Sequence, residues 1–133
     1  MLTTTQIYGK LKLFKAIFMK KLRKSLGHAA DGLRETLIHE RNFKIMLGIV
    51  FVVVGAMFYL PTSRAEKAIL ATAIFAVLTL EMVNIVIERL LDFLHPAHHE
   101  EVRVIKDLMA AIVLIASFGA AIIGLMIFWP HIF

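Results

Sequence analysis

The sequence predicts an all-α integral membrane fold, with three transmembrane helices preceded by an amphipathic surface helix. Three observations carry this. Apolar residues make up 59% of the 133 residues and the mean hydropathy is +0.79, too high for a water-soluble globule of this size. Three long apolar runs are each bounded by proline or by charge. Ten of the fifteen Lys and Arg residues fall between Lys10 and Lys44, a basic arm ahead of the first run. The chain reads as one membrane domain, 1–133. It lacks cysteine, which excludes disulfides and thiolate metal sites.

Ile7, Leu11, Phe14, Phe18, Leu22, Leu26, Ala29, Leu33 and Leu37 recur at steps of three and four, so residues 7–40 form an amphipathic helix, with a break expected near Gly27. Its lysine-rich polar face suits an anionic membrane interface or phosphate-bearing ligands, and the alternative for its apolar face is packing on the protein's own bundle. Lys10, Lys12 and Lys15 interrupt the stretch where a secretory signal would need its apolar core. Met19-Lys20-Lys21 has the look of a second start, which makes residues 1–18 an expected extension.

After the polar knot His39-Glu40-Arg41-Asn42-Phe43-Lys44 comes the first span, 44–60. Its apolar core is roughly 24 Å long at 1.5 Å per residue, enough to cross when Lys44 snorkels. Pro61 ends it, and a short polar turn leads to the second span, 68–94, closed by Pro96. The third span, 101–129, contains 22 uncharged residues from Leu108 to Trp129 and is expected to stop at Pro130. Two cations in the first loop, three around the second and none in the tail put the amino terminus and second loop on the cytoplasmic side. Ala116, Ala120 and Gly124 form a small-residue ridge that admits another helix closely.

The chemistry concentrates on one stripe of the second span. Glu81, Asn84, Glu88 and Asp92 are spaced 3, 4 and 4 residues apart, which keeps them on one helical face. Ionisable groups in a lipid-facing helix are costly, and such a row is a functional-site hypothesis by default. About 20 residues cross the hydrocarbon, so Glu88 falls near the cytoplasmic boundary and Glu81 about 10 Å deeper. The row is thus a ladder on which a membrane-embedded group meets a soluble charged ligand. Oxygen donors without His or Cys suit Mg²⁺, which shares its ligands with substrate phosphates. Lys106 suits phosphate oxygens; the plainer alternative is that Arg103 and Lys106 only pair with the acids. His95, His98 and His99 lack zinc-site spacing and read as loop histidines, and no Walker-type phosphate loop is present.

Glu81-x-x-Asn84-x-x-Ile87-Glu88-x-x-x-Asp92, then His99, then Lys106-Asp107, resembles the small bacterial integral-membrane diacylglycerol kinase and undecaprenol kinase family. Gly32-Leu33-Arg34 and Glu40-Arg41-Asn42-Phe43 are similar to its amino-terminal elements, and the resemblance covers about residues 28–130. It implies a homotrimer in the bacterial cytoplasmic (inner) membrane that uses ATP and Mg²⁺ to phosphorylate a lipid hydroxyl at the cytoplasmic interface. Carried over by position, Glu81 would be the base, Glu40 and Glu88 the metal ligands, and Asn84, Asp92, Lys106 and Asp107 nucleotide-binding or active-site supports. Ile85 and Val86 stand where the family has a small pair, and Leu108-Met109 where it is rich in small residues. The Glu-Arg-Asn-Phe run resembles the Gram-positive undecaprenol kinases, which puts a polyprenol ahead of diacylglycerol as the expected lipid. No nucleic-acid partner is implied.

A small proton- or cation-coupled transporter is the competing class, with Glu81 and Glu88 as ion ligands. It needs a polar path through both leaflets. Residues 68–80 offer only Thr72 and Thr79.

Overall fold

The computed structural model describes residues 4–95 and 100–133, with side chains from Lys12 onward. It is all-helical, with four helices: α1 (Thr4–His39), α2 (Arg41–Tyr59), α3 (Arg64–Leu94) and α4 (Glu100–Ile132). The last three are long and apolar enough to cross a membrane. The chain divides into an amino-terminal unit, Met1–Glu40, and a three-helix body, Arg41–Phe133.

Helix α1 runs unbroken through Gly27, which corrects the expected break. A single glycine costs a helix roughly 1 kcal/mol, too little to interrupt 36 residues when its backbone stays at negative φ. Phe14, Phe18, Leu22, Leu26 and Leu33 form an exposed apolar stripe, and the Phe14 and Phe18 rings stack with centroids 6.4 Å apart. Near its end the Thr36 hydroxyl donates to the Gly32 carbonyl at 3.1 Å.

In the body, α2 ends two residues after the buried Met57. The Thr62 hydroxyl donates to the Met57 carbonyl at 3.0 Å, satisfying an acceptor that the end of the helix leaves orphaned. Ser63 then opens α3 with a capping box: its Oγ accepts from the Glu66 N–H at 3.2 Å and its own N–H donates to Glu66 Oε2 at 2.6 Å. This explains why α3 starts at Arg64, ahead of the apolar run. Lys67 Nζ lies 5.6 Å from the Phe58 ring centroid, tying the two helix ends together.

Both α2 and α4 pack against α3, whose buried positions Leu70, Glu81, Asn84 and Ile85 follow helical spacing. Val113 is the buried residue of α4, and Ala116, Ala120 and Gly124 continue its half-buried stripe. Helix α4 passes through Pro130 and ends at Ile132, beyond the expected stop. A proline in the last turn removes only one backbone donor, and His131 Nε2 anchors that turn 3.3 Å from Glu66 Oε1 on α3. Of the bulky residues at family-small positions, Ile85 is buried, whereas Val86 and Leu108 face outward and leave the packing untouched.

Candidate active site

The polar ladder lies on α3 as its spacing requires, but burial splits it in two. Glu81 and Asn84 are buried, at 5% and 8% exposure, in the middle of the membrane-length helix. Asn84 Nδ2 donates to Glu88 Oε1 at 3.2 Å, one turn on. That bond fixes the amide and leaves Asn84 Oδ1 buried without a hydrogen-bond partner. A buried acceptor in that state costs free energy unless a ligand or solvent donor meets it.

These three side chains wall a cavity of about 310 Å³. Helix α2 contributes Asn42, Ile45 and Met46 to it, and α4 contributes Val113, Leu114 and Ser117. The lining therefore combines carboxylate and amide groups with apolar side chains. Such a site can hold an alcohol by its hydroxyl while apolar walls accept the carbon attached to it.

Asp92 lies one turn beyond Glu88 and is exposed; its Oδ1 accepts from Lys106 Nζ on α4 at 2.5 Å. The pair bridges α3 and α4 at the end of the ladder. Asp107 is turned away, since its Oδ2 takes Arg103 Nη1 at 2.8 Å and Arg103 also pairs with Glu100. Both cations named by the plainer alternative thus pair with acids near the loop, Arg103 with Glu100 and Asp107 and Lys106 with Asp92, and none of these side chains lines the cavity. Glu40 follows α1, with its N–H on the Thr36 carbonyl at 2.9 Å, and belongs to the amino-terminal unit rather than to the body that forms the cavity. His98 and His99 lie outside the described residues.

Among the described residues, no three His, Asp or Glu side chains converge closely enough to bind a metal ion by themselves. The carboxylates and amides in the cavity's lining are hard oxygen donors, the chemistry of an ion that completes its shell with phosphate and water. Nothing polar continues the ladder towards the other end of α3, where the Thr72 hydroxyl is spent on the Ala68 carbonyl at 2.9 Å. A translocation path would require the opposite.

Two contributors went unread in the sequence, Ser117 and the α2 edge at Asn42. Ser117 is the one hydroxyl among the 22 uncharged residues of the third span, and that solitude was the available signal. Asn42 stands in the polar knot and in the Glu40-Arg41-Asn42-Phe43 run, neither of which marks it as a cavity residue.

Comparison with known proteins adds a pattern beyond this geometry. The family model described as prokaryotic diacylglycerol kinase matches residues 27–128. The chain is 32% identical over 114 residues to the undecaprenol kinase of Bacillus subtilis (strain 168), covering 86% of this chain and 93% of that protein. It is similar to the diacylglycerol kinase of Escherichia coli (strain K12), at 28% identity over 111 residues, 84% of this chain and 91% of that one. A diacylglycerol kinase of Helicobacter pylori (strain ATCC 700392 / 26695) is 33% identical over 119 residues, 89% of this chain and 85% of its own length.

Proposed function

Since the chain belongs to the prokaryotic diacylglycerol kinase family, we propose that it phosphorylates the hydroxyl of a membrane lipid, with ATP as donor and Mg²⁺ as cofactor, in the α2–α3–α4 cavity. One observation carries the reading. A buried carboxylate and a buried amide, on a helix apolar enough to span the bilayer, wall a cavity together with the Glu88 carboxylate.

Glu81 takes the proton of the lipid hydroxyl as its oxygen attacks the γ-phosphorus of ATP, and the bond to the β-phosphate bridging oxygen breaks to release ADP. Phosphoryl transfer asks the protein mainly for positioning and charge neutralisation. Asn84, braced by Glu88, orients the acceptor end of the cavity. Lys106, held by Asp92, supplies a cation to the phosphates. Glu88 would hold Mg²⁺ at the cavity, and the family resemblance gives Glu40 the same role. When bound, Mg²⁺ screens the phosphate charge that the carboxylates would otherwise repel. Asp107 acts through Arg103, as a support rather than a contact.

The enzyme works as a homotrimer in the bacterial inner membrane, its amino terminus and second loop in the cytoplasm. Helix α1 lies in the interface, its exposed Phe and Leu stripe in the acyl region and its lysines among anionic headgroups. The charge asymmetry supports this orientation. With cysteines at Arg64 and Phe133, an impermeant thiol reagent added to whole cells should label both, and a cysteine at Glu101 should stay unlabelled. The reverse pattern would put the acidic ladder on the side without ATP.

The lipid is a polyprenol in preference to diacylglycerol, on the Glu40-Arg41-Asn42-Phe43 resemblance. Turnover of undecaprenol and of diacylglycerol, measured side by side in one detergent, should favour the polyprenol. A strong preference for diacylglycerol reverses the order. The test of the function itself is transfer of labelled phosphate from ATP to lipid by the purified protein.

A further inference from the structure

The Ser117 hydroxyl lines the polar cavity, and no step above uses it. Two bonds fix what it faces. Asp92 meets Lys106 at one end of the α3–α4 pair, at 2.5 Å, and Glu66 meets His131 at the other, at 3.3 Å. Eleven residues in from Asp92 along α3 is Glu81, and eleven in from Lys106 along α4 is Ser117; counted from Glu66 and His131, the same two residues meet to within one position. The antiparallel register is therefore held at both ends, with Ser117 at the depth of Glu81. Asn84 lies three residues nearer the Asp92 end, about 4.5 Å along the axis.

The side chains lean so as to close that offset. Cα–Cβ bonds tilt towards a helix's amino terminus, so Asn84 leans away from Asp92, while Ser117, on the antiparallel helix, leans towards it. They converge from opposite walls of one cavity. Asn84 Oδ1 is buried without a partner there, because the amide's Nδ2 is turned to Glu88. An unmet acceptor in a membrane interior is costly, and a serine hydroxyl is a donor whose proton rotates to suit. Val113 and Leu114, nearer Asn84's own depth on α4, carry no donor, and Ser117 is the one side-chain hydroxyl on that helix.

We propose that Ser117 is a positioning residue: a turn about its χ1 brings the hydroxyl to Asn84 Oδ1, and the resulting chain Ser117–Asn84–Glu88 braces the Glu88 carboxylate from the facing helix. The structure shows the state before that turn, with Oδ1 open and about 310 Å³ of cavity in which a small side chain can rotate. Only the purpose of the brace rests on the kinase reading, which makes Glu88 the holder of Mg²⁺; the contact itself does not. The competing arrangement spends the hydroxyl on the Val113 carbonyl, four residues back in α4.

Threonine and valine at 117 have one shape and differ in the hydroxyl, so the pair separates hydrogen bonding from packing. The first quantity to measure is the affinity of the purified protein for Mn²⁺, a paramagnetic stand-in for Mg²⁺, by electron paramagnetic resonance with a non-hydrolysable ATP analogue present. Ser117→Val should weaken it about fivefold, what one neutral hydrogen bond is worth, and Ser117→Thr should stay within twofold of the parent. In an Asn84→Ala background, Ser117→Val should add no further loss, because the link through which it acts is gone. Equal behaviour of valine and threonine overturns the proposal, as does a valine penalty that persists in full without Asn84.

A second arm needs neither metal nor turnover. The side-chain amide nitrogen resonance of Asn84, assigned by its loss in Asn84→Ala, should move in Ser117→Val and hold its place in Ser117→Thr. An unmoved signal in both variants leaves the hydroxyl within α4 and overturns the proposal. Should the parent bind no Mn²⁺, the metal role of Glu88 fails, and the amide signal still decides the contact.

Discussion

Glu81→Gln is expected to abolish phosphoryl transfer, by at least about a hundredfold, while ATP and Mg²⁺ still bind. The substitution keeps the side chain's volume and one carbonyl oxygen, so the packing of a residue that is only 5% exposed survives. What it removes is the ability to accept a proton. Glu81 sits seven residues deeper along α3 than Glu88, about 10 Å, which separates it from the nucleotide's charge. Loss of turnover with nucleotide affinity intact, read by kinetics beside a binding isotherm, is the signature of a missing base. Near-normal turnover at saturating lipid would make Glu81 a structural polar contact and move the base elsewhere.

Glu88→Gln is expected to act differently, removing most activity, raising the Mg²⁺ concentration needed for half-maximal turnover and weakening nucleotide binding. Glutamine at 88 can still accept the Asn84 Nδ2 hydrogen bond, so the amide stays oriented and the loss reports charge rather than shape. A neutral oxygen is a far poorer partner for a hard divalent ion than a carboxylate. His98→Ala should leave the metal requirement unchanged. A Mg²⁺ titration of the three proteins checks this, and restoration of metal-free enzyme by zinc but not magnesium would defeat the assignment.

The helical architecture was legible because period and punctuation agree. Apolar runs of membrane length, Pro61 and the basic arm leave little other choice, and the ladder from Glu81 to Asp92 follows from helical geometry alone. Helix ends were less legible. Gly27 and Pro130 look like breaks in a one-dimensional reading, yet each costs only about the loss of a local preference or of a single hydrogen bond, which flanking turns outweigh. The capping box at Ser63 was present in Ser63-Arg64-Ala65-Glu66 and would have set the start of α3.

Within the site, spacing along one helix was readable and partnership between helices was not. The Arg103–Asp107 pair is an i,i+4 contact within α4, but nothing in the order of residues tells that Lys106 reaches back to Asp92 on α3. The unpartnered Asn84 carbonyl depends on which way Glu88 pulls the amide. Cavities are formed by what side chains fail to fill, and no local pattern encodes that.

The helices that pack on α3 are its two neighbours along the chain. Contacts between consecutive elements close without long excursions of the polypeptide, which favours rapid assembly in the order of synthesis. The hairpin of α2 and α3, joined by residues 60–63, can form before α4 leaves the ribosome, but the cavity wall from Ala110 to Ser117 arrives only with α4. Until then Glu81 and Asn84 face the bilayer with part of their cover missing, a penalty that no water in the hydrocarbon relieves. A product truncated before α4 is thus expected to lack the cavity and to leave two polar side chains of α3 short of cover in the bilayer, a cost the intact chain does not carry.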